Sequence, residues 1–327
     1  MDSDIVSKGD EYSFFPRKYP HLDKYYHKMK NSYWVPSEID FSSDRGDWLK
    51  LEAGGESGIL NFIEHILSFF AQSDGIVNEN LMENFSKDTS DTKEARDFYT
   101  MQAANELIHS ETYGLSIETL ISDSTKKAKM FDAIHNYPSI KKISEWMIHF
   151  MDPKIHILKR VIGFCCIEGI LFTAAFCAIY WLKQKKIFRG LWKANEFIAR
   201  DEALHTEFGV ALYHHYTSFV NKFKPLKNHE IHKIISSAVS VAEEFVYEAL
   251  NLELIGMNAE DMMGYVKTTA DSLSVSFGAP QIYNSSNPFE WMAIISLPNK
   301  TNFFEDEVSE YGKLVYDPNE MQYTDDF

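Results

Sequence analysis

The sequence predicts an all-α fold, a single bundle of long helices with an extension at either end, and three observations carry that expectation. Proline is absent between Pro36 and Pro138 and again between Pro153 and Pro225; because proline breaks helix interiors, such gaps leave room for very long helices. Within the gaps apolar residues return at three and four, as in Leu60, Ile63, Ile66, Leu67 and Phe70, the period of one helix face. Alternating strand patterns closed by Asn-Gly or Asp-Gly turns are missing. The Asp74-Gly75 step lies inside a continuous apolar pattern instead.

In chain order, residues 1–43 are expected to form an N-terminal arm, turning at Phe14-Phe15-Pro16 and at Tyr19-Pro20. Residues 44–304 carry the helical domain. Helices are expected at 58–85, 92–122, 127–151, 154–183, 186–223, 230–254 and 260–277, with ends good to a few residues. Asp74-Gly75 is a candidate break in the first, since glycine weakens a helix interior. From Glu305 the periodicity ends and acids dominate, so residues 305–327 read as a flexible tail.

The chain of 327 residues can bury a substantial core. Its net charge of −16 disfavours nucleic acid as a partner, because a nucleic-acid binder needs a basic patch. Cys165, Cys166 and Cys177 share one apolar segment and read as small buried hydrophobes, not a disulfide framework. A reducing, cytoplasmic setting is the natural expectation. The first residues show no apolar run of the signal-peptide kind. Residues 161–182 are nearly all apolar and long enough to span a bilayer. Their one charge, Glu168, would cost about 2.5–3.5 kcal/mol at mid-membrane. A helix apolar on all sides is also what the centre of a large bundle requires. The segment is therefore expected to be a buried core helix and no membrane span, with a carboxylate that needs a partner.

Chemistry enters with two Glu-x-x-His pairs, Glu106/His109 and Glu202/His205. Residues three apart share a helix face, so each pair aims a carboxylate and an imidazole at one spot. A two-metal carboxylate site in a four-helix bundle uses that pair twice, plus one carboxylate from each of two further helices. Asp74 and Glu168 qualify, each a lone acid in an apolar helical segment. A buried carboxylate without a partner is costly, and a metal ion is one way to offset it. Spacing alone leaves ordinary buried ion pairs open as the other reading. Glu145/His149 and the cluster His229, Glu230 and His232 read as solvated or salt-bridged surface.

Tyr113 lies one turn beyond His109 on the same face. Phe172 and Phe176 follow Glu168 by four and eight, and Ile198 precedes Glu202 by four. Helical spacing puts all of them on the ligand-bearing faces, as a dry apolar wall in which a tyrosine could be oxidised and its radical protected. The bland alternative for Tyr113 is ordinary core.

Three segments carry a resemblance to a known family. Phe69-Phe70-Ala71-Gln72-Ser73-Asp74-Gly75, Glu106-Leu107-Ile108-His109-Ser110-Glu111-Thr112-Tyr113 and Arg200-Asp201-Glu202-Ala203-Leu204-His205 resemble the signatures of class I ribonucleotide reductase small subunits of the eukaryotic and viral type. Further similar stretches are Glu168-Gly169-Ile170, Leu254-Ile255-Gly256-Met257-Asn258, Asn287-Pro288-Phe289-Glu290 and Lys300-Thr301-Asn302-Phe303-Phe304-Glu305. They run in the family's order from about Phe14 to the end of the chain.

The resemblance implies a ferritin-like bundle in which Asp74, Glu106 and His109 hold one iron and Glu168, Glu202 and His205 the other. Carboxylate with imidazole suits iron and also manganese. It implies that O2 reacts at the reduced metals and that Tyr113 becomes the radical. Asp201 would join His109 to Trp34, in Tyr33-Trp34-Val35-Pro36. Tyr311 would pass the radical onward, and the end Tyr323-Thr324-Asp325-Asp326-Phe327 would dock on the large subunit, although it is shorter than is usual in the family. A homodimer is implied as well. Departures from the pattern are Ser37, where an acid is common, and the run Gly54-Gly55-Glu56-Ser57-Gly58; neither touches an expected ligand.

The expected function is thus the small subunit of ribonucleoside-diphosphate reductase, which makes a tyrosyl radical for a separate large subunit. No Gly-x-x-x-x-Gly-Lys-[Ser/Thr] phosphate loop occurs, nor the redox-active cysteines that the reduction itself needs. The rival is a ferritin-like oxidase or monooxygenase acting on a small molecule; it accounts for the ligands but not for Tyr113, Trp34 and the tail together. A non-catalytic scaffold is disfavoured by the complete ligand set, and an iron store would need no radical path and would form a larger shell.

Overall fold

Prolines and small polar side chains set where the helices begin. The structure, a computed structural model, describes residues 12–250 and 257–292. Pro20 opens α1 (Pro20–Asn31) and Pro138 opens α7 (Pro138–His149), at a position whose N–H has no helical partner in any case. α2 (Asp44–Ala53) leads to the long helices α3 (Ser57–Asn80) and α4 (Lys93–Leu120). The Asp123 carboxylate accepts from the amides of Thr125 and Lys126 and so caps α5 (Ser124–Phe131). After α6 (Ala133–Asn136) and α7 come α8 (Ile157–Cys166), α9 (Phe172–Gln184), α10 (Arg189–His214) and α11 (Asn228–Ala249). Asn258 caps α12 (Ala259–Ser276) by accepting from Asp261 N at 2.8 Å. The described residues contain no strand.

The expected helices are found, with two corrections. The span 127–151 is not one helix but α5, α6 and α7. Asp132 leaves the helical region at φ −107°, ψ 46°, and Pro138 has no N–H to continue the ladder. The candidate break at Asp74-Gly75 does not occur; α3 runs straight through it. One glycine costs only about 1 kcal/mol in a helix, and burial of Phe69, Phe70, Ile76 and Val77 on either side holds the helix regardless. The expected helix 154–183 is present as α8 and α9 joined by a π-helical turn at Ile167–Leu171.

Helices α3, α4, α8–α9 and α10 pack together, and α11 and α12 close one side against α8, α9 and the turn between them. The apolar span Ile157–Gln184 is the one described helix long and apolar enough to cross a membrane, and 89% of its apolar window is buried inside the protein. It is the core helix the sequence implied. Within the stretch expected as an arm, α1 lies against α4 and α10 and buries Leu22, Tyr25 and Met29.

The start of α10 is fixed from α2. Asp44 accepts from Gly190 N at 2.9 Å and Leu191 N at 2.8 Å, and Asp47 accepts from Phe188 N at 3.0 Å. Carboxylates at a helix N-terminus satisfy orphan amides and complement the helix dipole. A Cβ at Gly190 would lie 2.6 Å from the Asp40 carbonyl oxygen and 2.9 Å from the Asp44 carboxylate. Backbone cannot move aside cheaply, so Gly190→Ala is expected to destabilise the fold by about 1–3 kcal/mol. A denaturant midpoint equal to the parent's would show that this junction is slack.

Candidate metal centre

The central helices each bring acids to one interior point. Asp74 comes from α3, Glu106 and His109 from α4, Glu168 from the π turn, and Glu202 and His205 from α10. All are at most 1% exposed. Ligand-capable atoms of Glu106, Glu168, Glu202 and His205 lie within 4.8 Å of one another. His205 Nδ1 is 2.9 Å from Glu202, 3.1 Å from Glu106 and 3.8 Å from Glu168. His109 Nδ1 stands 2.9 Å from Glu202 and 3.3 Å from Glu106. Asp74 borders the group, within electrostatic reach of Glu106, His109 and Glu202, and its Oδ2 has no hydrogen bond. A π turn widens the helix locally and is frequent at functional sites; here it carries Glu168 itself.

Burial and mutual repulsion govern the charges. Burial, then Glu106, pushes the Asp74 carboxyl well above the ordinary range. Burial, then Glu202 and Glu106, does the same to Glu168. Burial alone would lower both imidazoles; the acids around them hold His109 and His205 well above the usual histidine value. Each imidazole thus sits among carboxylates.

Outside this group, Asp201 gathers three donors on one oxygen. Its Oδ2 accepts from Trp34 Nε1 at 2.7 Å, from Asn105 Nδ2 at 3.2 Å and from His109 Nε2 at 3.3 Å. Arg200 reaches its Oδ1 at 3.1 Å. Burial would raise the Asp201 carboxyl, but Arg200, then His109 and Trp34, hold it below its ordinary value. With Nε2–H given to Asp201, His109 turns Nδ1 toward Glu106 and Glu202. The Trp34 and His109 rings are nearly parallel, 6.1 Å apart.

Tyr113 is fully buried and its hydroxyl has no hydrogen-bond partner. Phe70 stacks on it at 4.3 Å with the rings 1° from parallel. Phe176 stacks on Phe70 at 5.2 Å and Phe172 meets Phe70 edge-on at 5.6 Å; Ile198 is buried on α10. Burial, then the charge on Asp74, drives the phenol pKa well upward. The sequence reading missed Phe70 as a member of this wall, although it precedes Asp74 by four. It also missed Gln102, which precedes Glu106 by four and donates to Glu106 at 3.2 Å and to Glu168 at 3.1 Å.

Glu145 and His149 are exposed on α7, Glu230 pairs with Lys159, and His232 bonds the Pro280 carbonyl, so the surface clusters stay apart from the centre. The three cysteines are buried and free. Tyr311, residues 323–327, Leu254-Ile255-Gly256 and the stretch 300–305 lie outside the described residues.

Do these residues fit two metal ions? Four carboxylates and two imidazoles converge in the buried interior, and buried oxygens of Asp74 and Glu168 lack hydrogen bonds. Orphaned buried acceptors are rare in folded proteins, and the excess of negative charge calls for cations. Carboxylate oxygen with imidazole nitrogen is the donor set of first-row ions such as iron and manganese. The residues fit.

Comparison with known proteins follows the same line. The family described as "Ribonucleotide reductase, small chain" matches residues 11–288. The ribonucleoside-diphosphate reductase small subunit of Dictyostelium discoideum is 45% identical over 309 residues, covering 94% of this chain and 88% of that protein. The small chain of Variola virus is 41% identical over 314 residues, covering 96% and 95%. Among solved structures, the ribonucleotide reductase Rnr4 homodimer of Saccharomyces cerevisiae superposes with a TM-score of 0.75 at 28% identity, covering 95% of this chain and 96% of that one.

Proposed function

Because the chain belongs to the ribonucleotide reductase small-chain family, we propose that it generates and stores a tyrosyl radical on Tyr113 for use by a separate large subunit. Ribonucleoside-diphosphate reductase activity is the family's. The observation that carries the radical assignment is a partnerless, fully buried phenol stacked on Phe70 beside the acid cluster.

In this reading Asp74, Glu106 and His109 hold one ion and Glu168, Glu202 and His205 the other. Two iron ions, or manganese in their place, supply the oxidising power drawn from O2. The protein's own part is threefold. Gln102 orients Glu106 and Glu168. Phe70, Phe172, Phe176 and Ile198 keep water from Tyr113. Oxidation removes one electron from Tyr113 and its phenolic proton must leave; the unpaired Asp74 Oδ2, within its electrostatic reach, is the acceptor assigned to it. Asp201 then links His109 to the oxidisable indole of Trp34, and Tyr311 continues the path in the tail. Residues 322–327 dock on the large subunit, the chain works as a homodimer, and the cytoplasm is its setting.

The test loads metal-free protein with ferrous iron, admits O2 and records the electron paramagnetic resonance spectrum. A tyrosyl signal is expected, and protein lacking residues 322–327 should keep the signal but lose turnover with the large subunit. Absence of the signal from the full chain sinks the radical assignment; normal turnover after truncation sinks the docking role.

A further inference from the structure

We propose that an open cavity beside Glu168 and Glu202 is the path by which a hydrated divalent cation reaches the centre, with Glu207 as the carboxylate that first engages it. The proposal rests on the metal-centre reading above.

The cavity measures about 620 Å³ and runs from the surface of α1, at Lys24 and Lys28, between α10 and α12 to a floor formed by Glu168 and Glu202. A water occupies roughly 30 Å³ of liquid, so there is room for an ion with its full hydration shell. The floor supplies the attraction, since Glu168 Oε2 is buried without a hydrogen bond. Above it, the Thr206 hydroxyl lines the passage and is also buried without a partner. Opposite stands Gly169, where a Cβ would come 3.1 Å from Thr206 Cγ2 and 3.2 Å from its hydroxyl oxygen. Any larger residue at 169 would push Thr206 from its place, so the glycine next to a floor carboxylate keeps this step clear.

At the rim, Glu207 faces Lys28 at 3.9 Å, with side chains 29% and 50% exposed. An ion pair so long and so wet contributes little. It can part when a dication offers Glu207 a stronger partner. Carboxylate at the rim, hydroxyl along the wall and carboxylate at the floor are all oxygen donors, the chemistry of a hard cation. An anion passing Lys24 and Lys28 would meet two acids at the end of the path. Helices α1, α10 and α12 thus make a graded route, which touches the aromatic wall around Tyr113 at Phe176.

Uptake of manganese(II) by metal-free protein reads the route directly, as loss of the free-ion paramagnetic signal after mixing. Glu207→Gln is expected to slow uptake about tenfold at low salt, the scale of electrostatic focusing in a charged cleft, and to reach the parent's final stoichiometry. Ala211→Trp, which fills the cavity from α10, should slow uptake at any salt concentration. Parent uptake should fall with added salt more steeply than that of Glu207→Gln. Parent-like rates in Glu207→Gln overturn the route while leaving the centre standing. A parent that binds no manganese and no iron overturns the centre, and the route with it.

Discussion

Replacing Tyr113 with phenylalanine abolishes the tyrosyl signal and leaves both metal ions bound. The two rings differ by one hydroxyl, and in Tyr113 that hydroxyl is buried without a partner. Removing a polar group whose hydrogen bond was never made costs little and can stabilise. The stack on Phe70 at 4.3 Å survives, since aromatic pairing depends on the ring faces. The change in folding stability should stay below about 1 kcal/mol. Phenylalanine, however, has no O–H to lose and cannot form a phenoxyl radical. Spectra, metal content and thermal unfolding of the variant, taken together, separate chemistry from structure. A signal equal to the parent's would move the radical to another residue. Loss of metal would show that Tyr113 supports the ligands instead of serving them.

Residues with local geometric meaning were legible in the sequence. Glu106 with His109, and Glu202 with His205, share a face by spacing alone, and the structure brings each pair within 3.3 Å. Asp74 and Glu168 stood out as lone acids in apolar helices, a signal that survives without knowing how the helices pack. What depended on packing was hidden. The π turn at Ile167–Leu171 has no composition that sets it apart from an α-helix. Phe70 and Gln102 had the right spacing from a ligand, four residues, but neither type announces chemistry. The division of 127–151 was within reach, because Pro138 stood in the middle of it. The cavity was not, since Lys28, Glu168 and Glu207 come from three separate helical segments and meet only in the fold.

Asp201 and Trp34 separate two roles that one buried carboxylate combines. Asp201→Asn keeps the shape and one carbonyl acceptor but removes the charge that Arg200 meets at 3.1 Å and His109 at 3.3 Å. An imidazole whose outer nitrogen loses an anionic acceptor is a poorer and less fixed ligand. Metal affinity is therefore expected to fall about 10–100-fold, measured by competition with a chelator. Trp34→Phe acts differently. It deletes the 2.7 Å indole donor, yet Asn105, His109 and Arg200 still hold Asp201. Metal binding and the Tyr113 signal should persist in Trp34→Phe while turnover with the large subunit falls to background, because phenylalanine is much harder to oxidise than indole. In an ordinary hydrophobic plug, by contrast, the same change would weaken folding and spare turnover in proportion to folded protein. Full turnover in Trp34→Phe with its radical intact would therefore rule out an indole relay. Unchanged chelator competition in Asp201→Asn would likewise show that its carboxylate does not tune His109.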